Sequence, residues 1–239
     1  MIPVLGWVRE IDAIDARVIA YDWPHARDNA DAIAAHWAKA KAALPSLFNG
    51  RIYLSKSHQF TGGGRRLEVE VFEADFAAYL AWLERGAFDD GVRNFFSMAA
   101  IHDESRAFVL VEMGANTANA GQVYFPSGVP DRKDIAGDRL DLGRSAIREL
   151  REETGITEGD VTTAPGWIVV EHGPRLACMK LMRLHATADA TKARIDGFLA
   201  QEADPELASA HVARGEDDIA RLTPLDFVAN TMRYLWARA

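Results

Sequence analysis

The run Arg148-Glu149-Leu150-Arg151-Glu152-Glu153-Thr154-Gly155-Ile156 constrains this chain more than any other segment. It follows Asp141-Leu142-Gly143-Arg144-Ser145-Ala146-Ile147, and the pattern predicts a helix over 142–154 that ends at Gly155, a residue suited to the C′ position. On that helix Glu149, Glu152 and Glu153 stand at i, i+3 and i+4, on one narrow stripe, while Ala146, Ile147 and Leu150 fall on an adjoining side suited to packing. Like charges so spaced cost about 0.2–0.5 kcal/mol per pair in an isolated helix. A divalent cation against the stripe reverses that sign. Carboxylate oxygens are hard ligands suited to Mg²⁺ or Mn²⁺, and Mg²⁺ completes its shell with waters and substrate phosphates, so the constellation implies phosphate chemistry. Three carboxylates alone leave open the ordinary alternative, in which Glu152 and Glu153 are solvated charges paired with Arg148 and Arg151.

Composition narrows the rest. A chain of 239 residues with 49% hydrophobic and 26% charged residues holds one large domain or two small ones, and is not disordered, collagen-like or a coiled coil. Its net charge of -8 repels a polyanion, which argues against a nucleic-acid polymer as partner but leaves small anionic ligands open where a metal or a basic cluster neutralises them. One cysteine, Cys178, rules out an intramolecular disulfide framework and a CxxC zinc site, and is expected to be a small buried apolar residue. No apolar run reaches the ~18 residues of a membrane span, and the start Met-Ile-Pro-Val-Leu-Gly-Trp lacks the basic residues of a secretion signal, so a cytoplasmic protein is expected.

Along the chain, strand-like stretches over 7–21 precede a helix predicted from about Arg27 to Ala43, stopped by Pro45. Strands Arg51 to Phe60 and Leu67 to Phe72 flank Thr61-Gly62-Gly63-Gly64, which reads as a hairpin turn because it lacks the GK[ST] ending of a phosphate loop. A helix from Phe76 ends at Gly86, and Asp89-Asp90-Gly91 reads as a seam. Further strands are predicted at Phe95 to Ile101, Ala107 to Met113, Gln122 to Phe125, Trp167 to Glu171 and Leu176 to His185, with helices near Lys192 to Gln201 and Leu225 to Trp236. A mixed sheet packed with helices, an α/β fold, is expected.

The helix segment resembles the second half of the Nudix box, GX5EX7REUXEEXGU, in which U is a bulky aliphatic. Every fixed position from Arg148 onward matches, with Leu150 and Ile156 at the aliphatic positions. Phe125-Pro126-Ser127-Gly128 is similar to the turn that opens the box, with Ser127 in place of its first glycine. Gly128 to Arg148 spans 20 positions, six more than the family has, and the register counted back from Arg148 puts Leu140 where the first glutamate belongs. Asp138 or Asp141 is a candidate to supply that carboxylate, although Asp141 reads better as a helix N-cap.

The resemblance implies a Nudix α/β/α sandwich with a mixed sheet over 91–239, preceded by a small N-terminal α/β extension over 1–90. It implies Mg²⁺-dependent (or Mn²⁺-dependent) hydrolysis of the diphosphate in a nucleoside diphosphate-X compound. Glu149, Glu152 and Glu153 would then be metal ligands, Arg148 their orienting partner, and Glu152, Glu153 and Arg148 the catalytic set. A non-catalytic sensor of a nucleotide metabolite is the competing class. For a carboxylate outside the box, Glu216-Asp217-Asp218 is the place to look, against the plainer reading of a solvated loop. The loop Asn116 to Gly121 is either a base or sugar contact or a plain connection. Arg132, Lys133, Arg139 and Arg144 are either contacts to a distal phosphate or solubilising charges. His172 and His185 are expected to be packed or exposed rather than ligands, and Ser145 is not a nucleophile. The N-terminal segment is faintly similar to the extension of a Nudix branch that hydrolyses UDP-sugars, which places UDP-sugars beside ADP-ribose-like and coenzyme A substrates. Such an extension is expected to contact a second subunit, giving a homodimer, or to cap the substrate pocket.

Overall fold

The computed structural model describes residues 7–87 and 91–238; Asp89 and Asp90 of the expected seam lie outside the described residues. In chain order its strands and helices are β1 (Trp7–Ile11), β2 (Ala13–Val18), α1 (Pro24–Asp28), α2 (Ala30–Ala43), β3 (Arg51–Thr61), β4 (Arg66–Asp75), α3 (Phe76–Glu84), β5 (Asn94–His102) and β6 (Phe108–Met113). They continue with β7 (Val123–Tyr124), β8 (Ser127–Gly128), β9 (Ile135–Ala136), β10 (Arg139–Leu140), α4 (Leu142–Thr154), β11 (Val161–Thr163), β12 (Trp167–His172), β13 (Arg175–Leu184), α5 (Ala188–Leu199), β14 (Leu207–Ala213), α6 (Glu216–Leu222) and α7 (Asp226–Trp236).

The strands form two mixed sheets. The larger runs β1-β12-β13-β5-β6-β14, with β11, β7 and β8 paired alongside; β13 and β5 are parallel, as expected of a crossover-connected pair. The smaller runs β3-β4-β2-β10-β9, with β2 parallel to β4. Side-chain alternation welds them together. Along β13, Leu176 and Cys178 pack on the smaller sheet, whereas Ala177 and Met179 join the core that α4, α5 and α7 cover. Along β4, Leu67, Val69 and Val71 face the larger sheet, and Phe72 and Ala74 turn to Trp23, Tyr79 and Trp82 beneath α3. Cys178 is fully buried, as its apolar reading requires.

The two ends of the chain are interleaved across residue 90. Strand β1 adds to the larger sheet through β12, and β9 and β10, both inside the box insertion, extend the smaller sheet through β2. The six extra residues therefore have a structural use as an edge for the N-terminal sheet.

Most elements fall where periodicity predicts them, with local corrections. The 27–43 helix is two helices broken at Asn29, whose amide Nδ2 donates to the His25 carbonyl at 2.9 Å in place of continuing the ladder. The helix placed at 192–201 starts earlier, at Ala188, because the Thr187 hydroxyl accepts from the Ala190 N–H and caps it. Strand β14 was not anticipated, and the acidic run at 216–218 opens α6 instead of lying in a loop. The triple glycine is a turn between β3 and β4, each glycine at positive φ. Among the described residues, no helix is long and apolar enough to cross a membrane.

Candidate active site

Helix α4 is fixed at both ends by local chemistry. The Asp141 carboxylate accepts from the Arg144 N–H at 3.0 Å, so this residue is the N-cap; at the other end Gly155 sits at φ 68°, which a side chain would strain. Leu142, Ala146 and Leu150, at i, i+4 and i+8, bury one face. That orientation carries Glu149 and Glu153 to the wall of a cavity of about 640 Å³, a size suited to a small-molecule ligand.

Glu153 is only 7% exposed, and its carboxylate accepts from the backbone N–H of Ser127 at 3.1 Å. Burial first, and then the charge of Glu149, push its carboxyl well above the usual range. Glu149 is pushed up to about 7, again by burial, against the pull of Arg148. Its carboxyl group occupies the space that a Cβ at position 128 would fill, so Gly128 is a cradle for it. Two carboxylates are thus held out of water, with the charge of Glu149 raising Glu153 and those of Glu152 and Asp134 raising Glu149, which a cation would relieve. Glu152 lies on the outer side of the same stripe: its carboxylate is 3.0 Å from Arg148 Nη1, and it does not line the cavity. Arg148 Nη1 also stands 2.9 Å from Glu149. As the side chains stand, no three His, Cys, Asp or Glu among the described residues converge around one ion.

Neither Asp138 nor Asp141, the candidates for the missing first carboxylate, is the residue that Arg148 grips. The remaining nitrogens of Arg148 hold Asp134, which is fully buried and was not singled out. Asp138 instead faces Arg139 from an exposed position, and Asp141 caps the helix. Asp134 is delivered by the insertion. It ends a single 3₁₀ turn, Arg132–Asp134, capped by the Asp131 carboxylate, and its own carboxylate accepts from the Asp131 N–H.

The acidic run before the last helix is a correction. Glu216 pairs with Arg233 and Asp218 with Arg221, and none of 216–218 lines the cavity. Glu206, just before β14, does line it, and its charge adds to the pressure on Glu153. The available signal was Asp204-Pro205-Glu206 ahead of the short apolar alternation that forms β14. Of the loop 116–121, Asn116, Thr117 and Asn119 line the cavity, and the Asn116 carbonyl accepts from the Ser46 hydroxyl at 2.7 Å. The N-terminal segment completes the wall with Leu47, Phe48, Phe76, Tyr79 and Leu80. The insertion's cations do not reach the cavity: Arg132 is bound to Glu73 and Arg139 to Asp15, while Lys133 and Arg144 are exposed. Ser145 is fully buried, and His185 pairs with Thr162.

No protein-family model and no curated protein sequence matches this chain. Its structure is similar to several solved Nudix hydrolases. An Ap4A hydrolase from C. elegans shares 17% identity, over 59% of this chain and 96% of that one, at a TM-score of 0.43. The NUDIX domain of Shewanella oneidensis NrtR, solved with ADP ribose, shares 13%, over 68% and 97%, at 0.40. A bifunctional NMN adenylyltransferase/ADP ribose pyrophosphatase from Francisella tularensis, complexed with AMP and an Mn ion, shares 12%, over 67% and 45%, at 0.43.

Proposed function

We propose that this chain is a Nudix pyrophosphatase that hydrolyses the diphosphate of a nucleoside diphosphate-X compound, and that its cofactor is Mg²⁺ or Mn²⁺. The observation that carries this is the pair Glu149 and Glu153, two carboxylates held out of water on the wall of a ligand-sized cavity, each pushed upward by burial and neighbouring negative charge. The residues fit a divalent ion by donor chemistry, all hard oxygens, and by the Gly128 cradle, which keeps the Glu149 carboxyl in place. Glu149 and Glu153 would hold it from the cavity wall, and Glu152 would join them by turning from Arg148. An ion held there would supply charge neutralisation for the non-bridging phosphate oxygens and a more acidic attacking water.

The chain's own groups do the rest. Arg148 spans Asp134, Glu149 and Glu152 and fixes the carboxylates against the cavity. The Ser127 N–H holds Glu153. Glu206 lines the cavity and makes no ion pair among the described residues, so it is the carboxylate free to take the proton of the attacking water and pass it to solvent. The apolar wall from 47–48 and 76–80 excludes water from the non-reacting part of the substrate. On this reading the segment before residue 90 is an extension that caps the pocket of a Nudix domain spanning 91–239.

The test is incubation with Mg²⁺ and ADP-ribose, UDP-glucose, NADH, a dinucleoside polyphosphate and coenzyme A, followed by phosphatase treatment and phosphate assay. At least one compound should release phosphate, and Glu153→Gln should lower its turnover by orders of magnitude. Tight binding of a panel member with no cleavage of any would identify a sensor and remove the hydrolase reading.

A further inference from the structure

The cavity is unequally charged. Its lining includes four carboxylates, Glu149, Glu153, Asp204 and Glu206, and one cation among the described residues, Arg175. Arg175 opens β13 directly beside Asn94, the first residue of β5, in the parallel register. It forms no ion pair with any described carboxylate. Asn94 is 7% exposed and holds this end of β5 against β13 at the cavity wall. Tyr79, from α3 of the N-terminal segment, borders the same corner, within range of the Arg175 charge. Among the described residues Arg175 is thus a cation without a counter-ion on an otherwise acidic wall, where an anionic group of a ligand would be matched.

Its distance from the carboxylates is set by sheet geometry. Asn94 lies three residues before Ser97, which pairs with Gly128, and β13 and β8 flank β5. Arg175 is therefore displaced from Gly128 by roughly 10 Å along the strands and roughly 10 Å across them, about 14 Å backbone to backbone. A substrate whose diphosphate lies at the glutamates would bring one of its far ends to this corner.

We propose that Arg175 forms a specificity subsite for a substrate end that bears a second anionic group, a carboxylate or a phosphate. The anion pairs with the Arg175 guanidinium. The subsite rests on the diphosphate reading for what occupies the opposite end of the cavity.

Two matched pairs test it, because each differs by one anionic group: UDP-glucuronate against UDP-glucose, and coenzyme A against dephospho-coenzyme A. Affinities are measured by calorimetric titration of the full chain in Mg²⁺, with cleavage scored separately. The wild-type protein should bind the anionic member of at least one pair about 10-fold or more tightly than its partner. Which pair does so tells a carboxylated sugar from a phosphorylated one. Arg175→Met should bring that ratio close to one, and Arg175→Lys should restore part of it. No preference in either wild-type pair overturns the subsite, whatever the variants do, and so does a preference that survives in folded Arg175→Met. Preference without cleavage of any compound would leave the subsite standing and remove the hydrolase, whereas cleavage without preference would do the reverse.

Discussion

Two nitrogens of Arg148 grip Asp134: Nη2 lies 2.7 Å from Oδ2 and Nε lies 3.1 Å from Oδ1, and Asp134 is wholly removed from solvent. The third nitrogen of the same guanidinium faces Glu149 and Glu152. One side chain therefore connects the inserted loop to the carboxylate stripe, and the planar fork of arginine is what allows it.

Removing Asp134 should leave a buried guanidinium partly unpaired. Asp134→Ala is expected to cost about 3–5 kcal/mol of stability, as loss of one member of a buried pair does. Urea unfolding measures this. A loss below about 1 kcal/mol would mean that the pair is not structural.

Gly128→Ala tests the cradle. Its backbone does not need a glycine, since φ is not positive, so the variant should fold. The new Cβ must displace the Glu149 carboxyl, and a displacement of about 1 Å in a catalytic group costs up to about 10²-fold in rate. Lowered steady-state turnover with native-like unfolding would bear this out. Unchanged turnover would show that Glu149 need not sit there.

Much of this was legible in the sequence, and the losses have physical causes. The α4 stripe, its Asp141 cap and its Gly155 stop are local, so spacing and capping chemistry fix them. Asp134 and Glu206 are not local. Asp134 reaches Arg148 only because the insertion folds back as β9 and β10 against β2, and Glu206 reaches the cavity only because β14 pairs antiparallel with β6. Neither long-range pairing leaves a periodic trace near the residue it positions. Arg175 is likewise non-local: it stands at the cavity because β13 runs parallel to β5, whose first residue, Asn94, lies 81 positions earlier in the chain.

Glu73 predicts a pH dependence of stability. It accepts from Arg132 and Arg51, each Nη2 at 2.9 Å from Oε2, and these bonds, led by that of Arg132, hold its carboxyl near 2, below the ordinary 4.5. A depressed folded-state pKa contributes stability that is full above the ordinary value and fades as pH falls from there toward about 2. Wild type should therefore exceed Glu73→Gln in unfolding free energy by a constant margin above pH 5 that narrows steadily between pH 5 and 3. A margin that widens on acidification would contradict the assignment.

The buried carboxylate pair predicts a trade between stability and metal response. In EDTA, Glu153→Gln should melt above wild type, by about 2–4 °C for each kcal/mol of repulsion removed. Added Mn²⁺ should raise the wild-type melting temperature, since it binds the folded state alone, and should leave the variant nearly unmoved. Differential scanning calorimetry in both buffers checks it. A variant that melts below wild type in EDTA would mean that the two carboxylates do not repel.

The most direct measurement is titration of Mn²⁺ into the protein, followed by the loss of the free-ion electron paramagnetic resonance signal. Wild type should take up at least one ion, and the folded double variant Glu149→Gln/Glu153→Gln should leave the signal as it is in buffer. Uptake by the double variant equal to wild type, or none by wild type, would contradict the claim that these carboxylates exist to hold a divalent cation.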